Sequence, residues 1–172
     1  MHILEAFFPD EHQDTSHAID FYKWYEKGYR GVIFDVDNTL VPHGADADEK
    51  CVQLFERLRE IGFRTILLSN NGKERVERFN RSIGSAYIYK AGKPLAKNYL
   101  RGMEELGTDV SNTLFVGDQL FTDVWGAKRL GIYTILVKPI NPIEEIQIVL
   151  KRYPERLVLY FYERGRKKRR KK

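Results

Sequence analysis

A single cysteine, Cys51, stands in 172 residues, so no internal disulfide can form and stability must come from packing. It falls on the apolar face of an expected helix, which makes it a core residue and fits a reducing compartment. Long apolar runs are also missing. The longest, Leu157 to Tyr162, is far short of the roughly 20 residues that a membrane-spanning helix needs. The acidic stretch Met1 to Asp14 lacks the basic start of a secretory signal. A cytoplasmic protein is expected, with peripheral contact at the inner membrane surface as its one membrane option. Internal repeats and interdomain linkers are absent, and a hydrophobic content of 42% is that of an ordinary soluble chain with one respectable core.

Net positive charge is missing from the body of the chain and concentrated at its end. Residues 163–172 hold eight Lys or Arg against one Glu, a segment of +7, so the overall +5 leaves −2 for residues 1–162. The body is read as one domain, 1–162, with an aromatic N-terminal extension over 1–30 and a C-terminal helical segment over 139–162. Residues 163–172 form a basic tail.

What the chain does have is alternation. Ala18, Phe21, Tyr22 and Tyr25 are spaced as the inward face of a short helix after an extended start. Short apolar runs at Gly31–Phe34, Thr65–Leu68, Ala86–Tyr89, Thr113–Val116 and Thr134–Val137 predict five buried strands. Between them lie stretches of helical period. Cys51, Leu54, Phe55, Leu58 and Ile61 mark one, opened by Asp46 and Glu49 as a capping box and stopped by Gly62. Leu95, Tyr99, Met103 and Leu106 mark another, with Pro94 in its first turn and Gly107 after it. Val124, Ala127 and Leu130 give a short last one before Gly131. Strands alternating with amphipathic helices predict an α/β fold with a mainly parallel sheet covered on both faces.

Polar residues stand directly after the apolar runs. Asp35 and Asp37 follow the first strand, Ser69 the second, and Asp118 the fourth, while Lys93 precedes the helix after the third and Asp123 lies five residues beyond Asp118. In an open parallel sheet the carboxyl ends of the strands share one rim, so these groups converge. Phosphoryl transfer needs a nucleophile, a cation, donors for the equatorial oxygens and a proton-transfer group, and this set supplies each. Three carboxylates with neither a histidine nor a thiol among them favour a hard, oxygen-loving ion, Mg²⁺ above all. Duller roles exist for some: Ser69 can cap a helix, Lys93 can be solvated, and Asp123 can sit favourably in a helix's first turn. His43 is read as lining the loop.

Asp35-Val36-Asp37-Asn38-Thr39, Ser69, Lys93-Pro94 and Gly117-Asp118-Gln119-Leu120-Phe121-Thr122-Asp123 resemble, in order, the four motifs of the haloacid dehalogenase (HAD) superfamily of phosphatases. The chain is similar more particularly to the YqeG-like branch of subclass IIIA, related to phosphatidylglycerophosphate phosphatases. The resemblance spans roughly residues 1 to 140, including Phe8-Pro9-Asp10-Glu11-His12. It implies a HAD-like Rossmannoid three-layer fold and an aspartyl-phosphate mechanism. Asp35 would be the nucleophile and Asp37 the acid and base, whose backbone carbonyl also binds Mg²⁺. Thr39, Ser69, Asn70 and Lys93 would hold the phosphate, and Asp118 would ligate the metal directly. Asp123 would orient Lys93 or a metal-bound water.

Neither the stretch from Thr39 to Ser69 nor that from Ser69 to Lys93 has room for an inserted cap, so a capless or minimally capped enzyme is expected. An open site admits a phosphomonoester on something large, such as a lipid head group, or is covered by a second subunit in a homo-oligomer. A soluble sugar or nucleotide phosphate remains an alternative. The basic tail is either a solvated terminus or a segment suited to anionic lipid or nucleic acid, which share the same electrostatics; Tyr160-Phe161-Tyr162 before it tilts the functional reading toward lipid, and equally suits the end of the core. The opposing reading is an RNA-associated binding module with a vestigial site, against which an intact Asp35 and Asp37 argue.

Overall fold

The computed structural model describes residues 3–141 and 158–162. The strands are β1 (Glu11–Gln13), β2 (Gly31–Phe34), β3 (Arg64–Leu68), β4 (Ala86–Ile88), β5 (Thr113–Gly117) and β6 (Tyr133–Val137). They are joined by helices α1 (Phe21–Glu26), α2 (Glu49–Ile61), α3 (Lys73–Asn80), α4 (Ala96–Leu106) and α5 (Trp125–Lys128). All pairings are parallel, in the order β1-β6-β5-β2-β3-β4. The chain runs outward from β2 to β4, then returns to lay β5 on the other side of β2, so the sheet's switch point lies between β2 and β5. A crevice outside the carboxyl ends of those two strands is where such sheets bind ligands.

Period-two alternation divides the core between the two faces. Val32 and Phe34 pack with Leu67, Val116 and Ile135 against Phe21, Trp24, Leu54, Phe55 and Leu58 of α1 and α2. Ile33, between them, points the other way and joins Ile66, Leu68 and Phe115 against Tyr99, Met103 and Leu106 of α4. Since β2 is buried along its whole length, its sequence reads as a continuous apolar run rather than an alternation. Cys51 lies in the first face's core, fully buried.

Several boundaries differ from the sequence reading, each for a local reason. A sixth strand, β1, pairs with β6 at the sheet edge; three half-buried polar residues gave no apolar signal for it. Asp10 anchors it, its carboxylate accepting from Thr134 N at 2.9 Å and from Lys128 Nζ at 2.6 Å. In α1 the inward residues are Phe21 and Trp24, while Tyr22 and Ala18 are exposed. Asp48, not Asp46, caps α2 by accepting from Cys51 N at 2.8 Å, because Asp46 is drawn off to Arg78 Nε at 2.6 Å. Gly62 does end α2, in the left-handed conformation at φ 107°.

Pro94 lies before α4 rather than in its first turn, and Leu95 is its N-cap, 67% exposed instead of inward. The cause is Asn70, whose side chain accepts from Lys93 N at 2.8 Å and donates to Lys93 O at 3.3 Å, holding that loop out of the helix. After β5 the expected short helix divides into a π turn, Leu120–Val124, and α5. Val124 and Ala127 are buried as expected, and Leu130 only partly. Residues 158–162 are helical, with Val158 buried beside Leu120 and Leu136. The rest of the expected C-terminal helical segment, over 142–157, and the basic tail lie outside the described residues.

Candidate active site

Four loops at the carboxyl edge of the sheet meet at the switch point. Asp35 leaves β2 still tied to its neighbour strand, its N–H donating to Val116 O at 2.9 Å, which aims its carboxylate into the crevice. Lys93, from the loop after β4, donates to Asp35 Oδ1 at 2.5 Å and to Asp123 Oδ1 at 2.7 Å. Thr39 Oγ1 lies 3.1 Å from both Asp35 Oδ2 and Asp118 Oδ1, and its single proton serves one of them at a time. Asp35, Asp118 and Asp123 are all buried and bring carboxylate oxygens within 4.8 Å of one another.

Burial in this well pushes the Asp35 carboxyl up to about 6, against the pull of the Lys93 ammonium. Burial also works to discharge Lys93, but the carboxylates of Asp123 and Asp35 outweigh it and hold the lysine above its ordinary value, so it stays a cation. Three buried carboxylates against that one ammonium leave an excess of negative charge, and every donor in the cluster is a hard oxygen. Such a set fits a divalent cation of the kind this chemistry uses.

The π turn after β5 is what brings Asp123 back over the strand end. Its Oδ2 accepts from Gln119 N at 3.0 Å, and the space it occupies exists because residue 117 has no side chain. A Cβ built on Gly117 would stand 2.6 Å from Asp123 Oδ2. Gly117→Ala is therefore expected to push Asp123 off Lys93, costing about 1–3 kcal/mol of stability and roughly 10- to 100-fold in activity. Thermal melts beside turnover of an aryl phosphate check both effects.

Ser69 is buried and its Oγ accepts from Asn71 N at 3.2 Å. The Asn70 side chain is spent on the Lys93 backbone, so its backbone N–H is what it offers a ligand. The Thr39 hydroxyl is spent between two carboxylates. Asp37 stands apart from the other acids. Its Oδ1 accepts from Gly44 N at 2.7 Å and from Arg75 Nη2 at 2.9 Å, and its Oδ2 accepts from Asn71 Nδ2 at 2.5 Å. Half-exposed His43 lies 3.9 Å from Asp37 Oδ1.

Arg75 and Asn71 were not singled out by the sequence reading. Arg75 is one of several basic residues on α3, and nothing in the sequence separates it from its exposed neighbour Arg78.

A model of haloacid dehalogenase-like hydrolases matches residues 44–131. "Probable phosphatase YqeG" of Bacillus subtilis is 35% identical over 159 residues, covering 91% of this chain and 92% of that protein. "Phosphatidylglycerophosphate phosphatase 1, chloroplastic/mitochondrial" of Arabidopsis thaliana is 28% identical over 160 residues, 87% of this chain and 45% of that one. Among solved structures, a putative subfamily IIIA HAD hydrolase from Legionella pneumophila superposes with a TM-score of 0.55 at 14% identity, over 70% of each chain, a likeness of fold.

A Rossmannoid hydrolase with its acids at the switch point is the class that the fold and the loops define, and the chain belongs to the haloacid dehalogenase-like hydrolases. Within that family it is a phosphatase of the YqeG-like kind. The connections from β2 to α2 and from β3 to α3 carry no inserted domain, so the crevice has no cap from either. No helix among the described residues is long and apolar enough to cross a membrane.

Proposed function

We propose that the chain is a Mg²⁺-dependent phosphomonoesterase that works through a phosphoaspartate on Asp35, and that its substrate phosphate is carried on a lipid head group, as in phosphatidylglycerophosphate. The observation that carries the mechanism is the Asp35 carboxylate at the end of β2, hydrogen-bonded to Lys93 and sharing a buried well with Asp118 and Asp123. A carboxylate oxygen of Asp35 attacks phosphorus as the ester bond breaks, and Asp37 gives its proton to the departing alkoxide. Water then attacks the phosphoaspartate. Asp37 takes up the water's proton, the bond from phosphorus to Asp35 breaks, and inorganic phosphate leaves.

Lys93, the Ser69 hydroxyl and the Asn70 N–H offset and orient the phosphoryl oxygens. Asp35, Asp118 and the Asp37 backbone carbonyl, braced by Asp123, would hold Mg²⁺, which supplies charge neutralisation at the phosphoryl group.

Three features support a lipid phosphate: the uncapped crevice, the name borne by the Arabidopsis relative, and a +7 segment at residues 163–172 on a body of −2. Polybasic segments gain roughly 1 kcal/mol per Lys or Arg near an anionic membrane, a term that salt weakens. Truncation after Glu163 is expected to reduce turnover of phosphatidylglycerophosphate in anionic vesicles at low ionic strength and to leave a soluble aryl phosphate unaffected. Sugar and nucleotide phosphates serve as comparison substrates, and EDTA should stop every reaction. Preference for a sugar or nucleotide phosphate, with the lipid untouched, would overturn the substrate assignment but not the mechanism. Undiminished vesicle turnover by the truncated chain would remove the tail's role.

A further inference from the structure

Asp37 has a task in each half of the reaction, as acid and then as base. As an acid it must reach the leaving oxygen with a proton. As a base it must present a lone pair to water in a fixed direction. The surroundings of Asp37 match the second task. Arg75 Nη2 and Gly44 N both donate to Oδ1, and Asn71 Nδ2 donates to Oδ2. A carboxylate offers about four lone-pair sites, so three donors fix its plane and leave one site, on Oδ2, with no donor among the described residues.

Arg75 is the charged member of this cradle. Its Nη2 reaches Asp37 Oδ1 at 2.9 Å and Ala45 O at 2.7 Å. Its Nε and Nη1 are buried with no hydrogen-bond partner among the described residues. Each buried, unpaired donor carries a desolvation penalty, so Nε and Nη1 add nothing to stability here. The side chain is 14% exposed, and its guanidinium carbon stands 5.6 Å from the centroid of the Phe79 ring, a modest cation–π contact. Both of its hydrogen bonds come from Nη2, one to the loop at Ala45 and one to Asp37.

We propose that Arg75 is a positioning residue that, with Asn71 and the Gly44 N–H, holds Asp37 in the orientation required for hydrolysis of the phosphoaspartate. The inference rests on the acid and base role assigned to Asp37. In that step a water oxygen bonds to phosphorus, the water proton passes to the free lone pair of Asp37 Oδ2, and the Asp35 carboxylate departs with the electron pair of the broken bond. With an aryl ester the first step needs no proton from Asp37, so there Arg75 bears on the second step alone.

The test is Arg75→Met, which keeps the unbranched stem as far as the position of Nε and removes the guanidinium. With an aryl phosphate, whose leaving group needs no proton, formation of the phosphoenzyme should be unaffected while its hydrolysis slows by roughly 10- to 100-fold, the scale of losing an orienting partner. Phosphoaspartate should accumulate, and kcat and KM should fall together with kcat/KM unchanged. Arg75→Lys, which can still place one cation on Oδ1, should recover part of the loss. In an Asp37→Asn background, Arg75→Met should cost nothing further.

A matched fall in kcat and kcat/KM with no accumulated phosphoenzyme would assign Arg75 a general structural role and overturn the inference, as would an effect that persists without the Asp37 carboxylate. Normal phosphoenzyme hydrolysis in Asp37→Asn itself would instead overturn the role given to Asp37. Normal hydrolysis in Arg75→Met beside slow hydrolysis in Asp37→Asn would overturn the role of Arg75 alone.

Discussion

Asp35→Asn is expected to abolish turnover of every phosphate ester while the protein stays folded. An amide has the shape of the carboxylate but no anionic oxygen to attack phosphorus, so kcat should fall roughly a thousandfold or more, a loss of at least about 4 kcal/mol of transition-state stabilisation. The fold should tolerate the change. Asn preserves the volume, Lys93 retains Asp123 at 2.7 Å, and one fewer carboxylate in a cluster with oxygens within 4.8 Å relieves like-charge repulsion. A melting curve should show no loss of stability in the metal-free protein, and no acid-stable or trapped phosphoenzyme should form. Near-normal turnover by the Asn variant would rule out a covalent route through residue 35.

The converging rim was legible because it follows from topology alone. Once Gly31–Phe34 and Thr113–Val116 read as buried parallel strands, Asp35 and Asp118 were expected on one rim; it is the pairing of β5 with β2 that brings them together, within reach of one Thr39 hydroxyl. Lys93 was legible for the same reason. The clamp that fixes it was not. Asn70 holds the Lys93 backbone from another loop, a contact between residues 23 positions apart that no local pattern encodes, and it displaced Pro94 and Leu95 from the helix to which their types had assigned them. The edge strand β1 was missed because edge strands at the surface need no apolar residues, and Glu11-His12-Gln13 has none. Arg75 was missed because long-range pairing alone separates it from the exposed cations on the same helix.

Asp37→Asn is expected to discriminate between leaving groups, since an Asn side chain can neither give nor take the proton. For an alkyl phosphate, phosphoenzyme formation requires protonation of a poor leaving alkoxide, and its rate should fall by about 10²- to 10⁴-fold, the usual worth of a positioned general acid. For an activated aryl phosphate the departing anion is stable without a proton, so formation should be nearly unaffected and hydrolysis of the phosphoenzyme should become limiting. The amide would still accept from Gly44 N and Arg75 Nη2 through its oxygen, so the loop keeps its shape. Its amide nitrogen, however, would face the Asn71 Nδ2 that now donates to Oδ2, a mismatch that turns the Asn71 side chain or moves it away. Rapid-quench measurement of phosphoenzyme formation with the two substrates separates the effects. A large loss with the alkyl ester beside a small one with the aryl ester marks the missing proton. Equal losses would trace the defect to the disturbed Asn71 contact or to ion binding at the adjacent carbonyl, and Asp37 would not be the general acid.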